Sequence, residues 1–287
     1  MKILVHGDMH GDINAQSVAG NVSVRMARQK NASSIKAVDH AVQHGCEWII
    51  QVGDFGYWVG WSGMVFLDRL NAALIDANIR FIWLDGNHES FDQLEIAVKY
   101  APRNQAGQTF IRSNILYSPR GCAFTMDHKR FMTVGGAYSI DKQYRKAGES
   151  WWPQETLTDN EVLGIVNNAT ARRQKGKPEV DYLFTHDCHP NTPFRARLKN
   201  DPESNIHRDK IKAVVSAVQP RFMFHGHMHT KYDWTLPHGV PFDPVEGPVT
   251  KVYGLSDGIE NGSWGVLNTE DDSFMFDEDL KGSIFDD

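Results

Sequence analysis

Cysteine is scarce: three in 287 residues, an odd number, at Cys46, Cys122 and Cys188, with no CxxC pair. That spacing supports neither a disulfide framework nor a thiolate zinc site. Long apolar runs are also missing. Trp48-Ile49-Ile50 and Phe81-Ile82-Trp83-Leu84 are strand-sized, far below the roughly 20 residues of a membrane span. Ile3-Leu4-Val5 runs straight into His6-Gly7-Asp8, too short for the apolar region of a signal peptide. A cytoplasmic protein with no membrane partner is expected. Excess positive charge is absent as well. The net charge is −6, and residues 270–287 hold eight acids against one Lys. The rest of the chain is near neutral, without the basic field of a nucleic-acid binder. The acidic stretch reads as a solvated tail on a single domain spanning 1–287. Neither an internal repeat nor a low-complexity linker is visible.

An ordinary globular composition remains, 41% hydrophobic and 23% charged, on a chain long enough to bury a core. The first half alternates short apolar strands with helical patterns, as βαβ units do. Strands are expected at Lys2–Val5, Glu47–Val52 and Arg80–Leu84, and helices near Ile35–His44 and Met64–Ala77. Ser90-x-x-Gln93 reads as a capping box. Further strands are expected at Thr109–Tyr117, Gly121–Met126 and Arg130–Gly135. A second capping box, Thr158-x-x-Glu161, opens a helix. Strands follow at Tyr182–Thr185 and Arg221–Phe224, with a helix near Lys210–Ala217 between them. Asn261-Gly262 signals a hairpin joining Lys251–Leu255 to Trp264–Leu267. Polar Asn14–Ser33 and Trp234–Pro248, with prolines at 237, 241, 244 and 248, read as insertions, the latter as loop.

Histidine is abundant, at 13 residues, and placed with purpose. Five apolar strands each run into a polar cluster: His6-Gly7-Asp8-Met9-His10-Gly11-Asp12, Gly53-Asp54, Asp85-Gly86-Asn87-His88-Glu89, Thr185-His186-Asp187 and His225-Gly226-His227-Met228-His229. In open α/β sheets ligands bind beyond the carboxyl ends of the strands, so the five clusters should meet at one edge. Asp, His and Asn offer nitrogen and oxygen donors suited to borderline divalent ions. Alternation along an extended strand end points Asp8 with His10, and His227 with His229, to one side. Turn chemistry explains any one cluster, but not five after five strands. His6 and His225 read as packing residues, and Asp12, Asp85 and Glu89 as supporting or solvent groups.

GDMHG at 7–11, GD at 53–54, GNHE at 86–89, His186 and GHMH at 226–229 resemble the signature blocks of the calcineurin-like metallophosphoesterase family, in order across about 220 residues. The resemblance implies an α/β fold, a four-layer αββα sandwich with two mixed β-sheets. It implies two divalent ions, Mn²⁺ first and Fe, Zn or Ni as alternatives. Asp8, His10, Asp54 and His229 would hold one ion; Asn87, His186 and His227 would hold the other, with Asp54 bridging. His88 would be catalytic at the leaving-group side. The expected reaction is attack on phosphorus by a hydroxide bridging metals about 4 Å apart. Gly135–Lys142, Arg145 and Trp151-Trp152 resemble a segment of actinobacterial and phage members, which points to a bacterial or phage-infected cell.

The second block departs from the protein Ser/Thr phosphatases of this superfamily, which carry GDxxDRG. Here Tyr57 and Trp58 stand where the Asp and Arg would be. Tyr57, Trp58 and Trp61 could form an aromatic wall for a nucleobase, although a packed aromatic loop is the simpler reading. Arg145 is a candidate phosphate contact or a surface ion pair. The expected substrate is a small phosphomonoester or phosphodiester, such as a nucleotide or cyclic nucleotide. A nuclease of the same superfamily and a non-catalytic interaction scaffold are the alternatives.

Overall fold

The computed structural model describes residues 1–11, 24–57, 60–176, 180–193, 201–238, 249–258 and 261–282. The first strands and helices alternate as their patterns dictate: β1 (Lys2–His6), α1 (Val24–Gln43), β2 (Trp48–Gln51), α2 (Trp61–Asp76), β3 (Arg80–Trp83) and α3 (Phe91–Tyr100). Then come β4 (Thr109–Arg112), β5 (Ile115–Tyr117), β6 (Cys122–Met126), β7 (Lys129–Val134), α4 (Asp159–Gln174), β8 (Tyr182–Thr185), α5 (Pro202–Val218) and β9 (Phe222–His225). The chain ends with β10 (Tyr232–Pro237), β11 (Val249–Gly254), β12 (Trp264–Asn268), β13 (Ser273–Phe276) and α6 (Asp277–Gly282).

Two mixed sheets result. One has the order β13-β12-β1-β2-β3-β5-β4, the other β10-β11-β9-β8-β7-β6. β1, β2, β3 and β5 run parallel, as do β7, β8, β9 and β11. β12, β4, β10 and β6 run antiparallel to these, and the edge strand β13 pairs antiparallel with β12.

Side-chain alternation along each strand builds the layers. Ile3, Val5, Ile50, Val52, Ile82 and Leu84 of the first sheet pack with Phe131, Tyr182, Phe184, Phe222 and Phe224 of the second. The intervening residues Leu4, Ile49, Phe81 and Trp83 face the opposite way, into a core shared with Leu67, Leu70 and Leu74 of α2 and Leu94 of α3. On the far side, Met132, Leu183, Met223 and Val252 pack with Ile165 of α4 and Ile211, Val214 and Val215 of α5. The layers are therefore helix, sheet, sheet, helix, as the resemblance implies. Among the described residues no helix is long and apolar enough to cross a membrane.

Several local expectations fail for physical reasons. Thr109–Tyr117 is not one strand but the antiparallel pair β4 and β5, reversed at Ser113-Asn114, where Asn71 of α2 accepts the Asn114 N–H at 2.9 Å. Ser90 caps α3 with no side-chain hydrogen bond, whereas the Thr158/Glu161 box forms in full. Asn261-Gly262 does not close a hairpin between β11 and β12. These strands lie in different sheets, β11 beside β9 and β12, buried along most of its length, beside β1. Trp234–Pro237 is strand rather than loop, paired with Val249–Val252; 239–248 lie outside the described residues, as do 12–23.

The acidic stretch is partly built in. β13 pairs with β12, and Phe276, Asp277 and Leu280 are buried. Asp272 sits 2.9 Å from Lys129 Nζ and 2.7 Å from Arg221 Nη1.

Candidate metal centre

β1, β2, β3, β8 and β9 all end at one edge, and the loops that follow interlock. Met9 and His10 donate their N–H groups to the Asp54 carbonyl at 3.1 and 2.8 Å. The His88 N–H donates to Asp54 Oδ1 at 2.8 Å, and the His227 N–H lies 3.1 Å from both Asp8 carboxylate oxygens. Two block glycines are required by these approaches rather than by their own turns. A Cβ on Gly86 would overlap the Asp54 carboxylate, and one on Gly226 the Asp8 carboxylate. Turning the donors inward also forces the backbone. His10, Asp54, His227 and His229 have φ of 50°, 52°, 61° and 48°, a left-handed conformation that costs a non-glycine residue about 1 kcal/mol or more.

The side chains gather in two sets about Asp54. Asp8, His10, Asp54 and His229 each place one donor atom within 4.8 Å of the others. Asp8 Oδ2 is 2.9 Å from His229 Nε2, and Asp54 Oδ2 is 3.8 Å from His10 Nδ1. In the second set His186 Nε2 lies 3.3 Å from Asp54 Oδ1 and 3.1 Å from Asn87 Oδ1. The His227 ring is 5.0 Å from the His186 ring, centroid to centroid. The His88 ring is 5.6 Å from that of His10.

The electrostatics describe a place for positive charge. Burial alone would raise both carboxyls and lower His186. Burial is the largest single influence, but the surrounding histidines together outweigh it, His186 first, joined by His88 and His10 at Asp54 and by the His229 hydrogen bond at Asp8, holding Asp54 well below the carboxylate range and Asp8 below it. His186 is pushed up to about 10 by the same pair, against burial. A hydrogen bond to Asp8 raises His229. Burial lowers His227 to about 4, leaving a neutral imidazole. His186 Nδ1 pairs with the Val52 carbonyl at 2.9 Å, so the Nε2 proton points at Asp54 and Asn87. That proton occupies the position of a cation, and the oxygen and nitrogen donors around it suit a divalent ion. Asp8, His10, Asp54 and His229 thus form a donor group that fits a divalent ion, with Asn87, His186 and His227 adjoining it through Asp54 and His186.

The supporting residues are more structural than the sequence suggested. Glu89 is fully buried and accepts the N–H groups of Phe55, Gly56 and Tyr57 at 2.8, 3.1 and 2.5 Å, bracing the second block. Asp85 accepts from Tyr117 Oη and Arg120 Nε at 2.8 Å each. His6 and His225 are packing residues, each with Nδ1 2.9 Å from the next carbonyl. Burial lowers both to about 4.

One substrate-contact reading needs correction, and one alternative falls away. The Tyr57 ring is buried and stacked on Trp83 at 5.5 Å, so its packing in the core replaces the nucleobase-wall reading. Trp58 and the Trp61 side chain lie outside the described residues. Arg145 is not a surface ion pair. Its side chain is 9% exposed and lies 3.2 Å from Glu155 Oε1, with Nη2 3.5 Å from the Asn87 carbonyl.

Sequence reading missed Ser139 and Glu155, both buried beside Asn87. It also missed the crossing from β11 to β12. There Gly258 donates to the Asp8 carbonyl at 2.7 Å, and Ser256 Oγ to the His229 carbonyl at 3.3 Å. Only the short Ser and Gly residues of that crossing hint at such close approach.

The family model for calcineurin-like phosphoesterases matches residues 1–231. The chain belongs to this family. It is accordingly a hydrolase of phosphate esters, and the family implies a dimetal centre. No curated protein is similar enough to match. Among solved structures, a dimetal phosphatase from Danio rerio matches over 93% of this chain and 91% of its own, with 14% identity and a TM-score of 0.51. That likeness shows the shared fold. A phosphopantetheinyl hydrolase from Mycobacterium tuberculosis matches over 92% and 94%, with 13% identity and a TM-score of 0.40.

Proposed function

We propose that this phosphoesterase hydrolyses a small phosphomonoester or phosphodiester in the cytoplasm, a nucleotide or cyclic nucleotide being the first candidate. Its ions would be two divalent metals, Mn²⁺ ahead of Fe, Zn and Ni. One observation carries the reading: Asp54 turns one carboxylate oxygen toward His186, whose Nε2 also meets Asn87 Oδ1, and the other toward His10. A single carboxylate shared by two donor sets is what a metal pair requires of its protein.

The chemistry such ions supply when bound is activation of water and neutralisation of phosphate charge. The chain's own residues define the rest. Asp8 and Asp54 fix the negative wall of the site. His10 and His229 border its open side, with side chains 19% and 44% exposed. His88, tied through its N–H to Asp54, holds its imidazole at that same side, where it can carry a proton to the leaving oxygen. Burial lowers the His88 pKa, partly offset by Asp54 and reinforced by Arg145. The near-neutral body favours a small substrate over a polyanion.

The test is one panel with added Mn²⁺: an aryl phosphate, its diester, 2′,3′- and 3′,5′-cyclic nucleotides, a phosphopeptide and single-stranded DNA. Turnover of the aryl or nucleotide esters is expected. Turnover of DNA alone would replace the proposal with a nuclease.

A further inference from the structure

The chain between β7 and α4 touches the metal centre at one point and is built around that point. Ser139 is 2% exposed and Glu155 1%. Ser139 Oγ lies 3.0 Å from Asn87 Nδ2 and 2.6 Å from Arg145 Nη1, and it hydrogen-bonds Glu155 Oε2. Glu155 is itself fixed: Oε1 accepts from the Trp152 N–H at 3.2 Å, and its carbonyl accepts from the Ala137 N–H at 2.9 Å.

A hydroxyl has one proton and two lone pairs. Arg145 can only donate, and an ionised Glu155 can only accept. The Ser139 proton therefore goes to Glu155 and one lone pair to Arg145. The lone pair that remains faces Asn87. Asn87 must meet it with its NH₂ group, because two acceptors repel. The amide oxygen is left on the opposite side, 3.1 Å from His186 Nε2. The two ends of an amide are nearly the same shape, so pocket shape alone does not choose between them. Flipped, Asn87 would present two protons to a cation.

We propose that Ser139, oriented by Arg145 and Glu155, is a positioning residue that locks the Asn87 amide with Oδ1 toward the metal pocket. The inference rests on the metal-binding reading above. It also explains why Arg145 is buried beside the site while its guanidinium is spent on protein partners.

Calorimetric titration of the metal-free protein with Mn²⁺ tests it. At about pH 8, above the value of about 7 to which burial raises Glu155, that carboxyl is ionised. The parent should take up two ions. Ser139→Ala should weaken one of them by about 10- to 100-fold, the range for partners of metal ligands, and spare the other. The melting temperature of the metal-free variant should stay within about 3 °C of the parent. Ser139→Thr, which keeps the hydroxyl, should restore affinity to within about threefold.

The discriminating background is Asn87→Asp. A carboxylate has two equivalent oxygens and needs no orienting, so adding Ser139→Ala there should cost less than about threefold. Equal losses at both ions, no loss at either, or the same loss in both backgrounds would overturn the proposal. Should Ser139→Ala unfold, Glu155→Gln keeps the shape while freeing the Ser139 proton. It should reproduce the one-ion loss, and unchanged affinity in that variant would overturn the proposal equally. A parent that binds no Mn²⁺ would sink the metal reading itself. A parent that binds two ions with an unaffected Ser139→Ala would sink only the positioning role.

Discussion

His229 and His10 stand 44% and 19% exposed, whereas His186 and Asn87 are closed off from solvent at 0% and 2%, although all four gather about Asp8 and Asp54. The open half is the half that faces solvent. His10 and His229 hold left-handed φ angles, and their rings touch chiefly acids and each other, at 5.3 Å between centroids. The closed half is shaped by hydrogen bonds. Val52 fixes His186, and Ser139 fixes Asn87. Donors of the closed half are thus pre-aimed without an ion. Left-handed backbone is common to both halves, since His227 and Asp54 hold it too; what sets the open half apart is that its rings are exposed and meet the acids directly, His229 Nε2 lying 2.9 Å from Asp8 Oδ2. One centre therefore has a rigid seat and an accessible seat, and Asp54 joins them.

Removing the joint should have the largest effect. Asp54→Ala takes a donor from both halves and leaves His186 with less of its compensating charge. Elemental analysis should find neither ion retained in stoichiometric amount. Turnover of an aryl phosphate with Mn²⁺ should fall at least about 10³-fold. A variant keeping more than about a tenth of parental activity would end the two-ion comparison. His88→Ala comes next, because His88 belongs to neither half. Its kcat should drop by about 10²- to 10⁴-fold while both ions stay bound; loss of an ion would show that His88 is a ligand.

The donors and the residues that support them were not equally legible in the sequence. Asp8, His10, Asp54, Asn87, His227 and His229 follow apolar strands in recognisable blocks, and strand order carries them to one edge. The positions of β1, β2, β3, β8 and β9 were legible for the same reason: burial on both faces makes short continuous apolar runs. What supports the closed half was not legible. Ser139 and Glu155 are 16 residues apart in a segment without regular periodicity, and only the fold brings them to Asn87. The Asn261-Gly262 turn shows the same limit. The local turn chemistry is real, with Gly262 at φ 79°, yet the choice of sheet for β11 and β12 is made by tertiary burial. Tyr57 reads as a site aromatic by position and is claimed by Trp83 instead.

The rigidity of the closed half can be sharpened by titrating it without metal. In chelator-treated protein His186 carries the charge that an ion would otherwise supply. Its pKa is raised from 6.5 to about 10 by Asp54 and Asp8, against burial. A group raised on folding binds its proton more tightly in the native state. Its contribution is therefore complete below about pH 6.5 and is lost as pH rises through the folded value. The melting temperature of metal-free protein should fall across that window, and saturating Mn²⁺ should flatten the fall by replacing the proton. His186→Asn should flatten it too, whereas His229→Asn, at the exposed seat, should leave most of the slope. A flat profile in the metal-free parent would mean that His186 is not held charged between the two acids.

The smallest expected effect lies outside both halves and serves as their control. Asp272 joins the acidic stretch to the second sheet through Lys129, Arg221 and the Tyr182 hydroxyl. Burial works against its charge, but those three partners outweigh it and hold its carboxyl below the usual range. The cluster is partly solvated, so screening limits its worth. Asp272→Asn should cost about 0.5–1 kcal/mol, as one member of a surface network. A carboxyl depressed on folding contributes above its unfolded pKa and ceases to contribute as acid protonates it. The stability gap between variant and parent, read by denaturant melts, should therefore close as pH falls through that lowered value. Mn²⁺ affinity should not change at either seat. If Asp272→Asn weakened one ion, the acidic stretch would be acting on the metal centre through β8 and β9, and the contrast between the seats would no longer belong to the site alone.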